Sequence, residues 1–369
     1  MHVHLREPGD EISETLKSGL MAALAGGVTA VGVMPNTDPP MDDPDSVRKL
    51  LAKADSLNLA RVVPVPCVTM GREGRELTDM AALHRAGASV FTDDGSPVRD
   101  SCLLMEAFQA TEEFGGVIME HPEVMELSAG GCINRGAVSR EMGVKGIPAC
   151  SETADAARCL ELANSARGRL HLTHLSLPRS VELARSGLFL EAGVTVDVTA
   201  HHLVLNETAV LEHGSLAKMN PPLRSSGERA GLAEMVRRGM VDAVVSDHAP
   251  HEAGRKSRSL EQDSFGITGL ETLLPLTLEV LGTVGMTPLE ILRLLTVGPA
   301  RILGLKPPSL AGGEPADCVL FDPGAEYTLE GAGSFSGSCN SPFMKRKLRG
   351  RTEAVWIGDL RYRDGEFED

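Results

Sequence analysis

The chain opens with Met1-His2-Val3-His4-Leu5-Arg6-Glu7-Pro8-Gly9, in which two histidines stand two positions apart. Side chains on a β-strand alternate between its two faces, so His2 and His4 project to the same side. If a strand ends here, both imidazoles can reach one metal ion, and imidazole is a ligand that suits zinc. The alternative is a pair of exposed histidines on a frayed end, and the rest of the sequence decides between the two.

Beyond this pair, apolar runs rich in β-branched residues alternate with stretches of helical length. Strands that alternate with helices at this spacing form βα units and a parallel sheet, which closes most naturally as a (β/α)8 TIM-type barrel. The His2–His4 stretch supplies the end of the one remaining strand, the first in chain order, so most of that first strand is expected to be missing from this sequence. The seven runs that read as strands span residues 28–34, 61–68, 88–92, 116–119, 169–173, 194–198 and 241–245.

From about Gly312 the sequence changes to short strand-like runs separated by Gly and Pro turns. This pattern predicts a small β appendage rather than more barrel. We therefore expect a barrel over residues 1–305 and a small β-sandwich-like appendage over residues 306–369.

Composition restricts the partners and the compartment. The formal charge of −15, from 36 Lys+Arg against 51 Asp+Glu, argues against nucleic acid or an anionic membrane as a partner. Seven scattered cysteines without a C-x-x-C pair indicate reduced thiols in a cytoplasmic protein. The sequence has no apolar run of about 18 residues, and no basic-then-apolar leader.

Polar side chains that commonly bind metals recur where the predicted strands end. In a barrel those ends meet on one face, where the active site of such enzymes lies. One histidine at a strand end is more often a structural residue, but six ligand-type residues at such ends indicate a site for one or two zinc ions, with one carboxylate able to bridge them. The six are His2, His4, Asp94, His121, His174 and Asp247.

Eight motifs, in order along nearly the whole chain, resemble those of the dihydroorotases, and more narrowly the type I branch within the amidohydrolase superfamily. The motifs are HVHLREPG (2–9), MPNT (34–37), FTDDG (91–95), TH (173–174), MNPPLR (219–224), SDHAPH (246–251), FGITGLET (265–272) and NSPF (340–343). The resemblance implies a zinc-dependent enzyme of pyrimidine biosynthesis. It would close N-carbamoyl-L-aspartate reversibly to (S)-dihydroorotate with loss of water.

The resemblance also implies roles for the ligand residues. His2 and His4 would bind one metal ion and His121 and His174 a second, with Asp94 bridging the two. The neighbouring Asp93 is the alternative bridge. Asp247 would bind metal and act first as general base and then as general acid.

Further residues are implied to hold the substrate. Arg6, Asn36 and His251 would bind the substrate carboxylate, for which the planar guanidinium of Arg6 provides a bidentate donor. Asn220 would contact the ring or its carbamoyl portion, and the backbone at Phe265-Gly266 would close over the ring. Opening a cyclic amide needs a stronger nucleophile than water, and binding to zinc can lower the pKa of water to about 7.

Two rival functions are consistent with parts of the pattern. Hydantoinase-like and allantoinase-like cyclic amidohydrolases bridge their metals with a carboxylated lysine, whereas the corresponding place here reads Thr92-Asp93-Asp94. A non-catalytic dihydroorotase-like scaffold for aspartate transcarbamoylase would have lost metal ligands, and this sequence keeps all six. Dimerisation and assembly with aspartate transcarbamoylase are expectations from the family alone.

Two further expectations concern parts of the chain outside the motifs. Members of the family carry a stretch before the His pair that completes the first strand and the appendage. Without it, we expect poor stability and little activity of the 369-residue chain. The polar segment 251–263 reads either as a mobile loop beside the site or as a solvated linker.

Overall fold

The computed structural model describes residues 1–368. The strands are β1 Ala30–Val33, β2 Arg61–Pro64, β3 Val90–Phe91, β4 Val117–Glu120, β5 Ile133–Asn134, β6 Gly146–Ile147, β7 Arg169–Leu172, β8 Gly193–Thr199, β9 Ala243–Val245, β10 Asp317–Thr328, β11 Lys347–Ile357, β12 Asp359–Arg363 and β13 Glu366–Phe367.

The helices alternate with these strands, and within residues 1–368 none is both long enough and apolar enough to cross a membrane. They are α1 Leu16–Ala25, α2 Pro44–Leu57, α3 Met80–Arg85, α4 Ser101–Glu112, α5 Met125–Ser128, α6 Ala137–Met142, α7 Cys150–Ala166, α8 Pro178–Ala184, α9 Ala200–Val204, α10 Ala209–His213, α11 Ser226–Arg237, α12 Leu273–Thr283, α13 Pro288–Leu295 and α14 Val297–Ile302.

Eight parallel segments form the barrel, as the sequence predicts. β1 pairs with β2, while β3, β4, β7, β8 and β9 form one sheet in that order. The backbone around Val3 closes the ring, because Val3 bridges Val33 on one side and His248 on the other. Val3 N donates to Gly32 O at 3.0 Å and His4 N donates to His248 O at 2.8 Å. The first strand position is thus held by a few residues, and these carry the two leading histidines.

Apolar side chains from the strands fill the barrel below its polar end. Val63, Val90, Val117, Met119 and Val245 belong to one buried cluster. Burying a side chain of this size stabilises the fold by roughly 1.5–3 kcal/mol relative to leaving it exposed. The strand ends that carry the six ligand-type residues are therefore held by a packed core.

The Gly-rich insert between β4 and β7 is more regular than its sequence indicates. β5 and β6 pair in parallel, and α6 connects them. A Cβ at Gly146 would collide with the backbone of Arg135, so glycine permits this close pairing. Two-residue strands are too short to show a periodicity, which is why the pattern of this insert reads as irregular.

The C-terminal part forms the predicted β appendage, as an antiparallel sheet in the order β10-β11-β12-β13. Within residues 306–368 it is one sheet, without the second facing sheet of a sandwich. Val355 and Tyr362 pack into the same buried cluster as Leu20 and Val31, so the sheet is attached to the barrel next to the first helix and strand.

Candidate active site

The carboxylate of Asp94 lies among four buried histidines. Its Oδ1 is 3.4 Å from Nε2 of His2, 3.4 Å from Nε2 of His174 and 4.0 Å from Nδ1 of His121. Its Oδ2 is 3.6 Å from Nε2 of His4. The two oxygens of one carboxylate thus face histidines from three separate strand ends, which is an arrangement that can bridge two metal ions.

Asp247 lies on the side of this centre that holds the leading histidine pair. Its Oδ1 is 3.2 Å from Nε2 of His4 and 3.7 Å from Nε2 of His2. His2, His4 and Asp247 therefore place one ligand atom each within reach of a single ion, and so do His2, Asp94 and His174.

Hydrogen bonds at the far side of two histidines fix which ring nitrogen faces the centre. Nδ1 of His4 is 2.7 Å from Oδ1 of Asn36, an oxygen that can only accept, so Nδ1 carries the proton. Nε2 of His121 is likewise 3.1 Å from the carboxylate of Glu123. His4 therefore presents the lone pair of Nε2 to the centre, and His121 presents that of Nδ1.

A longer chain of bonds fixes His2. Its Nδ1 is 2.9 Å from Oγ1 of Thr173, and that hydroxyl lies 3.3 and 3.4 Å from the two carboxylate oxygens of Asp197. Because the carboxylate only accepts, the single hydroxyl proton goes to Asp197, and the oxygen of Thr173 accepts from Nδ1 of His2. Nε2 of His2 is then a bare lone pair, buried and without a hydrogen-bond partner within residues 1–368.

This chain of bonds predicts the effect of Thr173→Val. The isosteric valine removes the acceptor for His2 Nδ1, so we expect metal affinity to fall by about 10- to 100-fold, the usual cost of losing such a partner. The measurement is competition with a chelator. Thr195→Val is the matched control, because the Thr195 hydroxyl contacts Nδ1 of His171, one step further from the centre, at 2.9 Å. An equal loss in both variants would contradict the assignment.

The charges of the centre favour a cation. Burial alone would lower the pKa of His121, but the carboxylates of Glu123 and Asp94 outweigh it and raise that pKa to about 9. Burial would raise the pKa of Asp94, yet His2 and the other histidines hold it well below its usual range. The pKa of Asp247 is lowered in the same way by His4 and His2. Two ionised carboxylates in a buried site fit metal ions, and a metal ion that binds His121 displaces the proton from its Nδ1.

Backbone strain marks three residues of the site. Arg6, His174 and Asp247 have φ values of 54°, 41° and 42°, in the left-handed region that non-glycine residues rarely adopt. Such a conformation costs about 1–3 kcal/mol per residue and persists only where the surroundings impose it. Two of these three residues are ligand candidates and the third is a candidate for binding the substrate.

Asp93, the alternative bridge, faces away from the centre. One of its carboxylate oxygens accepts from the backbone N–H groups of Val68 and Thr69 at 2.9 and 3.1 Å, and the other accepts from the Thr69 hydroxyl. Asp93 therefore fixes the turn that presents Asp94.

The residues predicted to hold the substrate carboxylate lie together beside the Asp247 side of the centre. Nε of Arg6 donates to Pro250 O at 3.1 Å, and its Nη2 is 3.4 Å from Nε2 of His251. Nε2 of His251 donates to Phe265 O at 2.7 Å, while its Nδ1 is buried with no partner in residues 1–368. At Gly266, where φ is +112°, a Cβ would lie 2.5 Å from Cβ of Ala249, so only glycine fits there.

The two predicted substrate-binding asparagines contact ligand histidines or their partners. Oδ1 of Asn36 accepts from His4, which leaves its amide nitrogen free. Nδ2 of Asn220 donates to the Glu123 carboxylate at 2.9 Å. Each asparagine therefore lies at the junction of the metal centre and the substrate space.

The polar segment 251–263 is held to the barrel. Nζ of the buried Lys218 donates to Leu260 O and Asp263 O at 2.6 Å each and lies 4.3 Å from the centroid of the Phe265 ring. Arg255 pairs with both carboxylate oxygens of Asp10 at 2.8 and 3.1 Å. The segment is therefore anchored to the barrel at several points, while most of its other side chains face solvent.

A separate ligand-type group lies next to β4. Glu120, Asp155 and Cys159 place one ligand atom each within 4.8 Å of one another. Nε of Arg158 donates to Asp155 at 2.7 Å, and burial raises the pKa of Glu120 well above its usual range. A protonated acid beside a guanidinium–carboxylate pair accounts for this group without a metal ion.

Sequence reasoning misses the partners that orient the ligands, namely Glu123, Thr173 and Asp197. Asp197 did carry a signal, since it is the one charged residue inside the β-branched run 194–198. A buried carboxylate in a strand needs partners, and here they are Thr173, His171 and the backbone N–H of His174.

The comparisons of the sequence agree on one family, and the comparison of structures shows the fold. The sequence pattern of the family described as Dihydro-orotase-like matches residues 1–180. The chain is 42% identical to the Dihydroorotase of Anaplasma phagocytophilum (strain HZ), over 98% of this chain and 81% of that protein. It is 38% identical to the Dihydroorotase of Aquifex aeolicus (strain VF5), over 99% of this chain and 86% of that protein. The fold is similar to L-Hydantoinase (Dihydropyrimidinase) from Arthrobacter aurescens, with a TM-score of 0.88 and 23% identity over 100% of this chain and 85% of that one.

Proposed function

The chain belongs to the dihydroorotase family, and on that premise we propose that the centre around Asp94 binds zinc and interconverts N-carbamoyl-L-aspartate and (S)-dihydroorotate. The enzyme is a metal-dependent amidohydrolase. The observation that carries the assignment to this centre is the convergence of histidine lone pairs and two ionised carboxylates at one buried point.

The ligand set divides into two groups around the shared carboxylate. His2, His4 and Asp247 would hold one ion, His121 and His174 the other, and Asp94 would bridge them. A bound zinc ion supplies an activated water near neutral pH and polarises the carbonyl of the substrate. Imidazole and carboxylate donors suit zinc, which is the reason for proposing it over other metals.

Asp247 is the group we assign to proton transfer. Its carboxylate is ionised, and it lies at the edge of the centre nearest Arg6 and His251. In hydrolysis it accepts the proton of the attacking water and returns it to the ring nitrogen as the amide bond breaks. In cyclisation the same carboxyl group acts in the reverse order.

Arg6 provides the charge for the substrate carboxylate. Burial lowers its pKa to about 10, so the guanidinium stays charged at neutral pH. Burial and the charge of Arg6 together lower the pKa of His251 to about 3, so this imidazole is neutral before the substrate binds. With Nε2 donating to Phe265 O, Nδ1 is the atom of His251 that is left to meet the substrate, and it has to take up a proton to donate to the carboxylate. The amide nitrogen of Asn36 adds a neutral donor.

Arg6→Gln tests this carboxylate site. A hydrogen bond to a charged group contributes about 1.5–3 kcal/mol, so we expect KM for dihydroorotate to rise about 10- to 100-fold. Arg6→Lys keeps the charge but not the planar, bidentate guanidinium, so its KM for dihydroorotate should lie between those of wild type and Arg6→Gln. Dihydrouracil, the same ring without the carboxylate, should be hydrolysed equally by wild type and Arg6→Gln. A KM that stays unchanged for dihydroorotate would contradict the assignment.

A substrate panel tests the proposed reaction itself. Hydrolysis of dihydroorotate is compared with that of hydantoin and allantoin on the zinc-loaded protein. The highest kcat/KM is expected for dihydroorotate, because Arg6 provides a charge that neither of the other two rings can use. A preference for hydantoin would overturn the proposal.

The cysteines indicate the compartment in which the enzyme acts. All seven cysteines are free thiols in the structure, and four of them are half-buried or exposed. Free thiols of this kind persist in reducing surroundings, so we propose that the enzyme acts in the cytoplasm.

A further inference from the structure

A segment from the C-terminal part of the chain reaches the rim of the candidate site. It lies between β10 and β11 and contains the buried residue Asn340. Nδ2 of Asn340 donates to Ala249 O at 3.0 Å and to Gly266 O at 3.1 Å, and its Oδ1 accepts from His251 N at 2.9 Å. The side-chain amide therefore uses both of its donors and its acceptor on site loops.

These bonds join two segments that run side by side beyond β9. Ala249 N donates to Ile267 O at 2.8 Å, and Thr268 N donates to the backbone oxygen of Asn340 at 3.1 Å. Asn340 thus takes the place of a neighbouring strand, and it links residues 249–251 to residues 266–268.

Both linked segments carry proposed substrate contacts. One holds His251, and the other begins at the Phe265-Gly266 backbone. Arg6 is attached to the first of them through Pro250 O at 3.1 Å. The distance between the carboxylate side and the ring side of the substrate space is therefore set by the three side-chain bonds of Asn340 together with the direct bonds from Ala249 N to Ile267 O and from His251 Nε2 to Phe265 O.

We propose that Asn340 is a positioning residue that sets the geometry of the substrate-binding half of the site, and that it governs substrate affinity rather than the chemical step. The inference rests on the proposed function, because it takes His251 and Phe265-Gly266 as substrate contacts. None of the six ligand residues contacts the Asn340 side chain, so zinc binding is expected to be unaffected by its loss.

The test compares Asn340→Ala and Asn340→Asp with Ser338→Ala in the zinc-loaded enzyme. Asn340→Asp keeps the acceptor for His251 N but places a carboxylate against the carbonyl oxygens of Ala249 and Gly266. It is the variant to measure if Asn340→Ala does not fold. Ser338→Ala is the matched control, because it removes a buried hydrogen bond of the same segment, from Ser338 Oγ to Ser13 O at 2.6 Å, without touching either site loop.

We expect both Asn340 variants to raise KM for dihydroorotate about tenfold or more. We also expect kcat within about threefold of wild type and an unchanged zinc content. Ser338→Ala should lower the melting temperature with KM unchanged. An unchanged KM in the Asn340 variants, an equal rise in Ser338→Ala, or a loss of zinc would each overturn the inference.

Amide hydrogen exchange separates this inference from the proposed function. In Asn340→Ala the His251 N–H loses its acceptor and should exchange at least about tenfold faster, whereas Asn340→Asp should keep it protected. If the wild type does not hydrolyse dihydroorotate, the proposed function fails, but hydrogen exchange still tests whether Asn340 holds the segment that carries His251. If His251 exchange is unchanged in Asn340→Ala, the link itself is refuted.

Discussion

Asp247→Asn is expected to lower kcat for dihydroorotate hydrolysis by about a thousandfold, because a positioned general acid–base contributes about 10²–10⁴-fold. Asparagine keeps an oxygen of nearly the same shape next to His4 and His2, so the fold and most of the bound metal should remain. The amide cannot accept the proton of the attacking water and return it to the ring nitrogen. The loss should therefore appear in kcat with little change in KM.

The measurement is steady-state kinetics in both directions, with metal content determined on the same samples. Cyclisation of N-carbamoyl-L-aspartate should fall by the same factor as hydrolysis, since one carboxyl group serves both directions. Activity within about tenfold of wild type at equal metal content would show that another group carries the proton.

Asp94→Ala is expected to have an effect at least as large, through loss of metal. Asp94 is the one carboxylate that faces histidines from three strand ends, at 3.4 to 4.0 Å. Metal ions contribute several kcal/mol to such reactions, so losing the bridge should lower kcat/KM by about a thousandfold or more. Elemental analysis of the purified variant should show less zinc than in wild type.

Asp93→Asn is the matched control for this prediction. It changes the neighbouring carboxylate, whose bonds to Val68 and Thr69 hold the turn but do not reach the centre. We expect a lower melting temperature with zinc content retained. If Asp93→Asn loses zinc while Asp94→Ala keeps it, the two aspartates have been assigned the wrong way round.

The sequence predicts the barrel and the convergence of the six ligand-type residues for one physical reason. Four of the seven apolar runs are followed within two residues by one of the six ligand-type residues, and parallel strands bring such ends to one face of the barrel. His121 after β4, His174 after β7 and Asp247 after β9 all follow this rule. The closing contact at Val3 also agrees with the prediction that the His pair ends the first strand of the barrel.

The remaining features depend on contacts that no local pattern encodes. The choice between Asp93 and Asp94 depends on Thr69, in a different loop. The orientation of His2 depends on a hydroxyl at Thr173 and a carboxylate at Asp197, and Asn340 acts on His251 across 89 positions. Such partners are recognised only when the chain has folded, because their side chains are ordinary polar residues in sequence.

We propose that one Asp94-bridged metal pair carries out the reaction, and a zinc titration of chelator-stripped protein tests this most directly. Bound zinc and dihydroorotate hydrolysis are measured on the same samples. We predict no turnover by the stripped protein and activity that rises with bound zinc until about two equivalents are held. Turnover by the stripped protein at the rate of the loaded enzyme would contradict the account, and so would full zinc binding without any hydrolysis of dihydroorotate.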